Sequence, residues 1–212
     1  MELTTATMLQ WLRRAATMIR AQREYLTELD AAIGDSDHGF NLDRGFAAVI
    51  DVLPTLEGQD AGAILKNAGM KLISTVGGAS GPLYGTAFRR AGKVLEGHKS
   101  VSAADLREAL RAFTDGVVSL GKATSGDKTM LDALFPAVQA LEEAIDAGES
   151  LSSAISRAAD AATAGAEATI PLVARRGRAS YLGPRSAGHK DPGATSAALI
   201  IQALAETINT PI

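Results

Sequence analysis

Three aspartates fall within the stretch LDAAIGDSDHGFN, residues 29–41: Asp30, Asp35 and Asp37, broken by Gly34 and Gly39 and joined by His38 and Asn41. Carboxylates are hard oxygen ligands, suited to Mg²⁺ or Ca²⁺ and not to zinc. An EF-hand loop begun at Asp35 would place Phe46 where a bidentate Glu is required, so that motif fails. A short acidic loop with open coordination positions fits Mg²⁺, which takes a few carboxylates and fills the remaining positions with water and phosphate oxygens. Helix capping and Asx-turns by Asp35 and Asp37 account for the same residues without a metal. Three carboxylates this close repel one another unless a cation sits among them, and that favours the metal.

Other segments supply complementary groups. The arginines Arg175, Arg176, Arg178 and Arg185, with Lys190, lie between Pro171 and Pro192, and arginine is the better polydentate partner for phosphate. VGGASG (76–81) lacks the spacing and the preceding strand of a dinucleotide fingerprint, yet its glycines and Ser80 at a helix start could offer backbone amides to an anion. A tight turn explains it equally well. Gly116 to Ala123 nearly spells a phosphate-binding P-loop, but Ala123 stands where the magnesium-binding hydroxyl belongs and the preceding pattern is helical. His38 and His189 show no Ser or Cys arranged with them for nucleophilic catalysis.

These residues need elements to position them, and the periodicity is helical throughout. Met8, Leu12, Ala15, Ile19, Leu26, Leu29 and Ile33 form one stripe on a long first helix. Further helices are expected over about 40–53, 61–76, 82–95, 102–120, 129–146, 150–169 and 193–207. Ser102 with Asp105 forms a variant capping box, and Pro136 could bend the sixth helix. No strand pattern is evident. Eight helices with short loops suggest an all-α antiparallel bundle, in which successive loops alternate between two ends. LEGQD (56–60), EGHKS (96–100) and AGES (147–150) are bland. IGDSDHG (33–39), VGGASG (76–81), GKATSGDK (121–128) and the segment 171–193 carry the chemistry, and the topology gathers them at one end. Carboxylate-held Mg²⁺, glycine amides and arginine around one mouth are the parts of a phosphoryl-transfer site.

Composition bounds the reading. The 212 residues suffice for one substantial domain, 1–212, and are 46% hydrophobic and 21% charged. With only 4% aromatics, the core is expected to consist of small side chains on closely approaching helices. A net charge of −3 argues against a nucleic-acid binder. There is no cysteine, so disulfides and zinc–thiolate sites are excluded. The N-terminal stretch lacks the apolar run of a signal peptide and no segment is apolar enough to span a membrane, so a cytoplasmic protein is expected.

GDSDHGFN, GGASGPLYGT, GDKTMLDAL and ARRGRASYLGPRSAGHKDPGATS, in this order and over nearly the whole chain, resemble the L subunits of bacterial dihydroxyacetone kinases. The resemblance implies an eight-helix antiparallel barrel with the nucleotide on the loops at one end. It implies two Mg²⁺ held by Asp30, Asp35 and Asp37. It places tightly bound ADP or ATP against His38, Gly39, Phe40, Asn41, Ala79, Ser80, Gly121, Met130, Arg178, Asp191, Pro192 and Gly193. Ser36, Ser125 and Pro184 depart from the usual motifs. A free-standing L subunit is similar to the phosphotransferase-system-dependent branch. There a phosphohistidine M subunit recharges bound ADP, and the γ-phosphoryl passes to dihydroxyacetone on a K subunit. A related kinase for another small ketose, and a nucleotide-state-dependent partner of a transcription regulator, are the alternatives.

Overall fold

The structure is a computed structural model and describes residues 2–210. It is all-helical apart from one small strand pair. Helices α1 (Thr5–Ala21), α2 (Arg23–Ile33), α3 (His38–Val52), α4 (Ala61–Thr75), α5 (Ser80–Val94), α6 (Ala103–Gly121), α7 (Leu131–Asp146), α8 (Leu151–Ala168) and α9 (Pro192–Asn209) are joined by short loops and two 3-10 segments, Leu53–Leu56 and Arg178–Ser186. From α3 to α9 each helix packs on the next, α9 returns to α1, and α1 and α2 both pack on α3, so the chain closes on itself.

The expected helices are present, with two corrections. The first long helix is two, because Gln22 (φ −103°, ψ 10°) caps α1 and opens α2. Leu26 N still bonds Gln22 O, so the buried stripe of Met8, Leu12, Ala15, Ile19, Leu26 and Ile33 runs across the break. A one-residue interruption that preserves the stripe is invisible to periodicity. The second correction is β1 (Leu3–Thr4) paired antiparallel with β2 (Ser100–Val101). Two-residue strands from distant parts of the chain carry no alternation to detect.

Local signals explain most helix ends. Ser102 and Asp105 form the full reciprocal capping box of α6, and Asp60, Ser150 and Asp191 cap α4, α8 and α9 through their side chains. Pro136 lies inside α7 and cannot donate to the Asp132 carbonyl one turn back. Gly165 of α8 packs against that carbonyl, where an added Cβ would collide with it. The small-residue core is as expected. Gly69 and Gly85 bring α4 and α5 so close that a Cβ on Gly69 would lie 2.6 Å from the Gly85 carbonyl. Trp11, Phe88 and Phe113 stack inside, with Trp11 Nε1 donating to Ile200 O at 2.9 Å.

The loop ends segregate. Lys99 Nζ donates to Gly58 O at 2.6 Å and Ala61 N to His98 O at 2.8 Å, which joins two bland loops to each other. Among the described residues no helix is long and apolar enough to cross a membrane.

Candidate functional site

A cleft of about 280 Å³ opens where the four chemistry-bearing loops meet. Asp30, Asp35, Asp37, His38, Asn41, Ala79, Ser80, Gly121, Met130, Arg178, Asp191, Pro192 and Gly193 all line it. Gly39 and Phe40 do not. Gly39 lets α3 approach α2, since a Cβ there would run into the Arg23 carbonyl, and half-exposed Phe40 lies under the Arg23 guanidinium. The P-loop-like run from Gly116 lies within α6 and its C-cap, so that resemblance is to a helix end.

Each of the three aspartates offers one carboxylate oxygen, and these atoms lie within 4.8 Å of one another. That spacing and the hardness of the donors fit a divalent cation. The three are not equivalent. Asp30 is buried at the end of α2, and its Oδ2 accepts from Asp37 N at 2.9 Å and His38 N at 3.2 Å. It therefore folds the acidic loop as well as facing the cleft. Gly34 makes room for it, because a Cβ there would strike Asp30 Oδ1. Asp35 is exposed and pairs with Arg178 Nε at 2.9 Å. Ser36 between them adopts φ 64°, a left-handed conformation that glycine takes most readily.

His38 differs from expectation. Its ring is buried and has two serine partners: Nε2 lies 2.9 Å from Ser196 Oγ and Nδ1 3.1 Å from Ser80 Oγ. Ser196 Oγ also meets the Tyr84 hydroxyl at 2.7 Å and donates to the Gly193 carbonyl at 3.0 Å. Burial pushes the imidazole pKa down, against the pull of Asp30 and Asp37. Ser196 itself is fully buried and has no access to a substrate.

The rest of the rim favours anions. Neither α3 nor α5 has a side-chain cap, so first-turn amides of α5, beside Ala79 and Ser80, are open to the cleft. Arg176 and Arg178 reach in from the segment 171–190. That segment is tied at both ends by Lys128, whose buried ammonium donates to Thr169 O at 2.7 Å and also to His189 O. Gly188 N closes onto Ile170 O at 2.7 Å, and Arg175 N onto Asp127 O at 3.0 Å.

Asp191 caps α9 through Ala194 N at 2.6 Å and is buried, which pushes its carboxyl pKa up to about 7 in spite of nearby Lys128. A raised carboxyl pKa means that the fold prefers the neutral acid. Its contribution to stability is complete below the ordinary carboxylate range and is lost as pH rises through about 7. Asp191→Asn keeps a capping oxygen and carries no charge. Melting curves should show the variant gaining on wild type by several degrees as pH rises from the ordinary carboxylate range to about 7 and holding that gain above it, and a constant difference over that range would contradict the buried-acid assignment.

A family model described as "DAK2 domain" matches residues 32–206, which include every cleft-lining residue named above except Asp30. The chain belongs to the DAK2 domain family. It is 46% identical over 97% of its length, and over 98% of the relative's, to the protein of Escherichia coli strain K12 named "PEP-dependent dihydroxyacetone kinase, ADP-binding subunit DhaL". A protein of Listeria innocua, the ADP-binding subunit of PEP-dependent dihydroxyacetone kinase 1, is 40% identical over 94% of both chains. The crystal structure of the dihydroxyacetone kinase from C. freundii in complex with AMP-PNP and Mg²⁺ matches with a TM-score of 0.71 and 28% identity. That match covers 97% of this chain and 34% of the other, so this DAK2 domain corresponds to one part of a longer kinase. Within it, sequence reasoning missed Lys128, Thr129, Tyr84 and Ser196. Lys128 stood in plain view in GDKT, but only the fold reveals that its ammonium is enclosed by carbonyls.

Proposed function

We propose that this chain is the nucleotide-carrying, phosphoryl-transfer subunit of a phosphoenolpyruvate-dependent dihydroxyacetone kinase. Its helices, with α1 and α2 counted as one arm, make a single-domain, eight-membered antiparallel barrel, and the nucleotide lies on the loops at one end. Asp30, Asp35 and Asp37 would hold two Mg²⁺, which when bound would supply positive charge to neutralise the phosphates. The α5 amides at Ala79 and Ser80, Asn41, Gly121, Met130, Arg178 and the start of α9 at Asp191–Gly193 would contact a tightly held ADP or ATP. The carrying observation is that one cleft joins three carboxylates, an uncapped helix N-terminus and Arg178 in a close relative of an ADP-binding subunit.

In this reading a phosphohistidine M subunit recharges ADP, and a K subunit presents dihydroxyacetone to the γ-phosphoryl in the cytoplasm. Arg178 sits where it can follow charge onto the transferring group, and the acidic loop fixes the position of the phosphates. ADP with Mg²⁺ should raise the melting temperature strongly, since a ligand that binds only the folded state stabilises by about 4 kcal/mol at roughly a thousandfold excess over Kd. Hydrogen exchange should locate the added protection in residues 33–41 and 171–190. Equal protection there with and without the nucleotide would refute the assignment.

A further inference from the structure

Asn41 sits in the first turn of α3 and lines the cleft, with only 7% of its surface exposed. Its carboxamide has an acceptor end and a donor end, and a neighbour must tell them apart. Arg44, three residues further along the same helix, does so. Its Nη2 donates to Asn41 Oδ1 at 2.7 Å and its Nε to the Thr75 carbonyl at 3.0 Å. A guanidinium has no lone pair to offer, so a reversed carboxamide would set N–H against N–H. The oxygen therefore belongs on the Arg44 side. Thr75 is the last residue of α4, where carbonyls lack a partner within the helix, so the guanidinium is tethered at a second point.

What remains for the cleft is Nδ2. Among the described residues no group accepts from it. The carboxamide lies against Gly77, where a Cβ would come within 3.1 Å of Nδ2 and 3.2 Å of Oδ1. Gly77 belongs to the loop that leads into α5, whose start has no side-chain cap. Asn41 Nδ2 thus extends a wall of N–H donors, and Arg44 adds positive charge beside it.

We propose that Arg44 is a positioning residue: it turns the Asn41 carboxamide so that Nδ2–H is presented to an acceptor, and that acceptor is a phosphate oxygen of the ligand. A neutral acceptor on a base or sugar gains less from a wall of donors with a cation beside it, because hydrogen bonds to a charged oxygen are about twice as strong. This rests on the nucleotide reading above and deepens it, by giving the phosphates a side-chain donor that carries no charge of its own.

Two measurements test it. The side-chain amide signals of Asn41 in ¹H–¹⁵N spectra, assigned by their loss in Asn41→Ala, should move on addition of magnesium pyrophosphate and similarly with MgADP. Adenosine alone should leave them in place. Signals that respond to adenosine and not to pyrophosphate, or to neither phosphate ligand, overturn the phosphate assignment. Calorimetry then measures the coupling of the two residues. Asn41→Ala should weaken magnesium pyrophosphate and MgADP alike, by roughly tenfold or more, as expected for loss of a hydrogen bond to a charged group. Arg44→Met should weaken both about three- to fivefold in the wild-type background and have no effect in the Asn41→Ala background. A loss of equal size in both backgrounds means that Arg44 acts by its charge alone, and overturns the positioning role. Protein that binds magnesium pyrophosphate but not ADP would remove the nucleotide reading and leave this assignment standing. ADP binding indifferent to both substitutions would do the reverse.

Discussion

Asp35→Asn or Asp37→Asn is expected to abolish tight magnesium-dependent ADP binding in a protein that still melts cooperatively. Each change keeps the side-chain volume and removes the charge from a group that spends little on holding the fold. Asp35 is exposed and its recorded partner is Arg178. Even outer-shell partners of a metal ligand are worth about 10–100-fold in affinity, so loss of a ligand should exceed roughly 100-fold. Asp30 must be treated separately. It is buried and receives two backbone amides, so Asp30→Ala orphans both and loosens the acidic loop as well as emptying the metal position. Its variant should therefore lose stability and affinity together. Calorimetry with Mg²⁺ and ADP, set beside thermal melts of the three variants, separates these effects. Unchanged ADP affinity in the Asp35 and Asp37 variants would end the metal assignment.

The second large effect concerns turnover. The purified chain alone, given excess ATP, should phosphorylate dihydroxyacetone at least roughly a thousandfold more slowly than the assembled enzyme, because most of the gain in phosphoryl transfer comes from holding donor and acceptor in line. The cleft offers carboxylates, amides and Arg178, which suit the donor side. Three other clefts lie away from it. One is apolar and interior, one lies between α4 and α5, and one lies between α8 and α9. Activity should appear on adding a K-type subunit and become catalytic in phosphoenolpyruvate when the phosphohistidine chain is also supplied. Arg178→Ala should then lower kcat by more than it raises KM for the ketose. Robust ATP-dependent turnover by the single chain would replace the subunit reading with a self-sufficient kinase.

Much of this was legible in the sequence, and the exceptions have physical causes. The helices from α3 onward lie within two residues of their expected bounds, because apolar stripes and caps such as Ser102–Asp105 are local signals. The gathering of the loops follows from alternation along an antiparallel bundle, and the cleft lining agrees with it. The break at Gln22 escaped because a single non-helical ψ leaves the buried stripe in phase. The pairing of Leu3 with Val101 joins positions too far apart in sequence for any local pattern to link them. Tyr84 and Ser196 looked like ordinary helix residues on α5 and α9, and their meeting with His38 depends on how three helices cross. His38 itself showed no serine partner in the sequence, while the fold encloses it between Ser80 and Ser196.

The clasp made by Lys128 has a further consequence for how such proteins diverge. Because Thr169, Ile170 and His189 are drawn to one ammonium, the chain enters and leaves the arginine segment at nearly the same place. The cost of closing a loop between fixed ends grows only slowly with its length. Residues 172–187 can therefore lengthen, shorten or change composition while the helical frame stays as it is. That stretch carries Arg176, Arg178 and the almost fully exposed Tyr181, which are groups suited to meeting another protein. With Arg178 kept on Asp35 and Ser186 kept in its buried place, the exposed remainder is an exchangeable cassette, so transplanting it between relatives should transfer the choice of docking partner and leave the recipient's metal affinity unchanged.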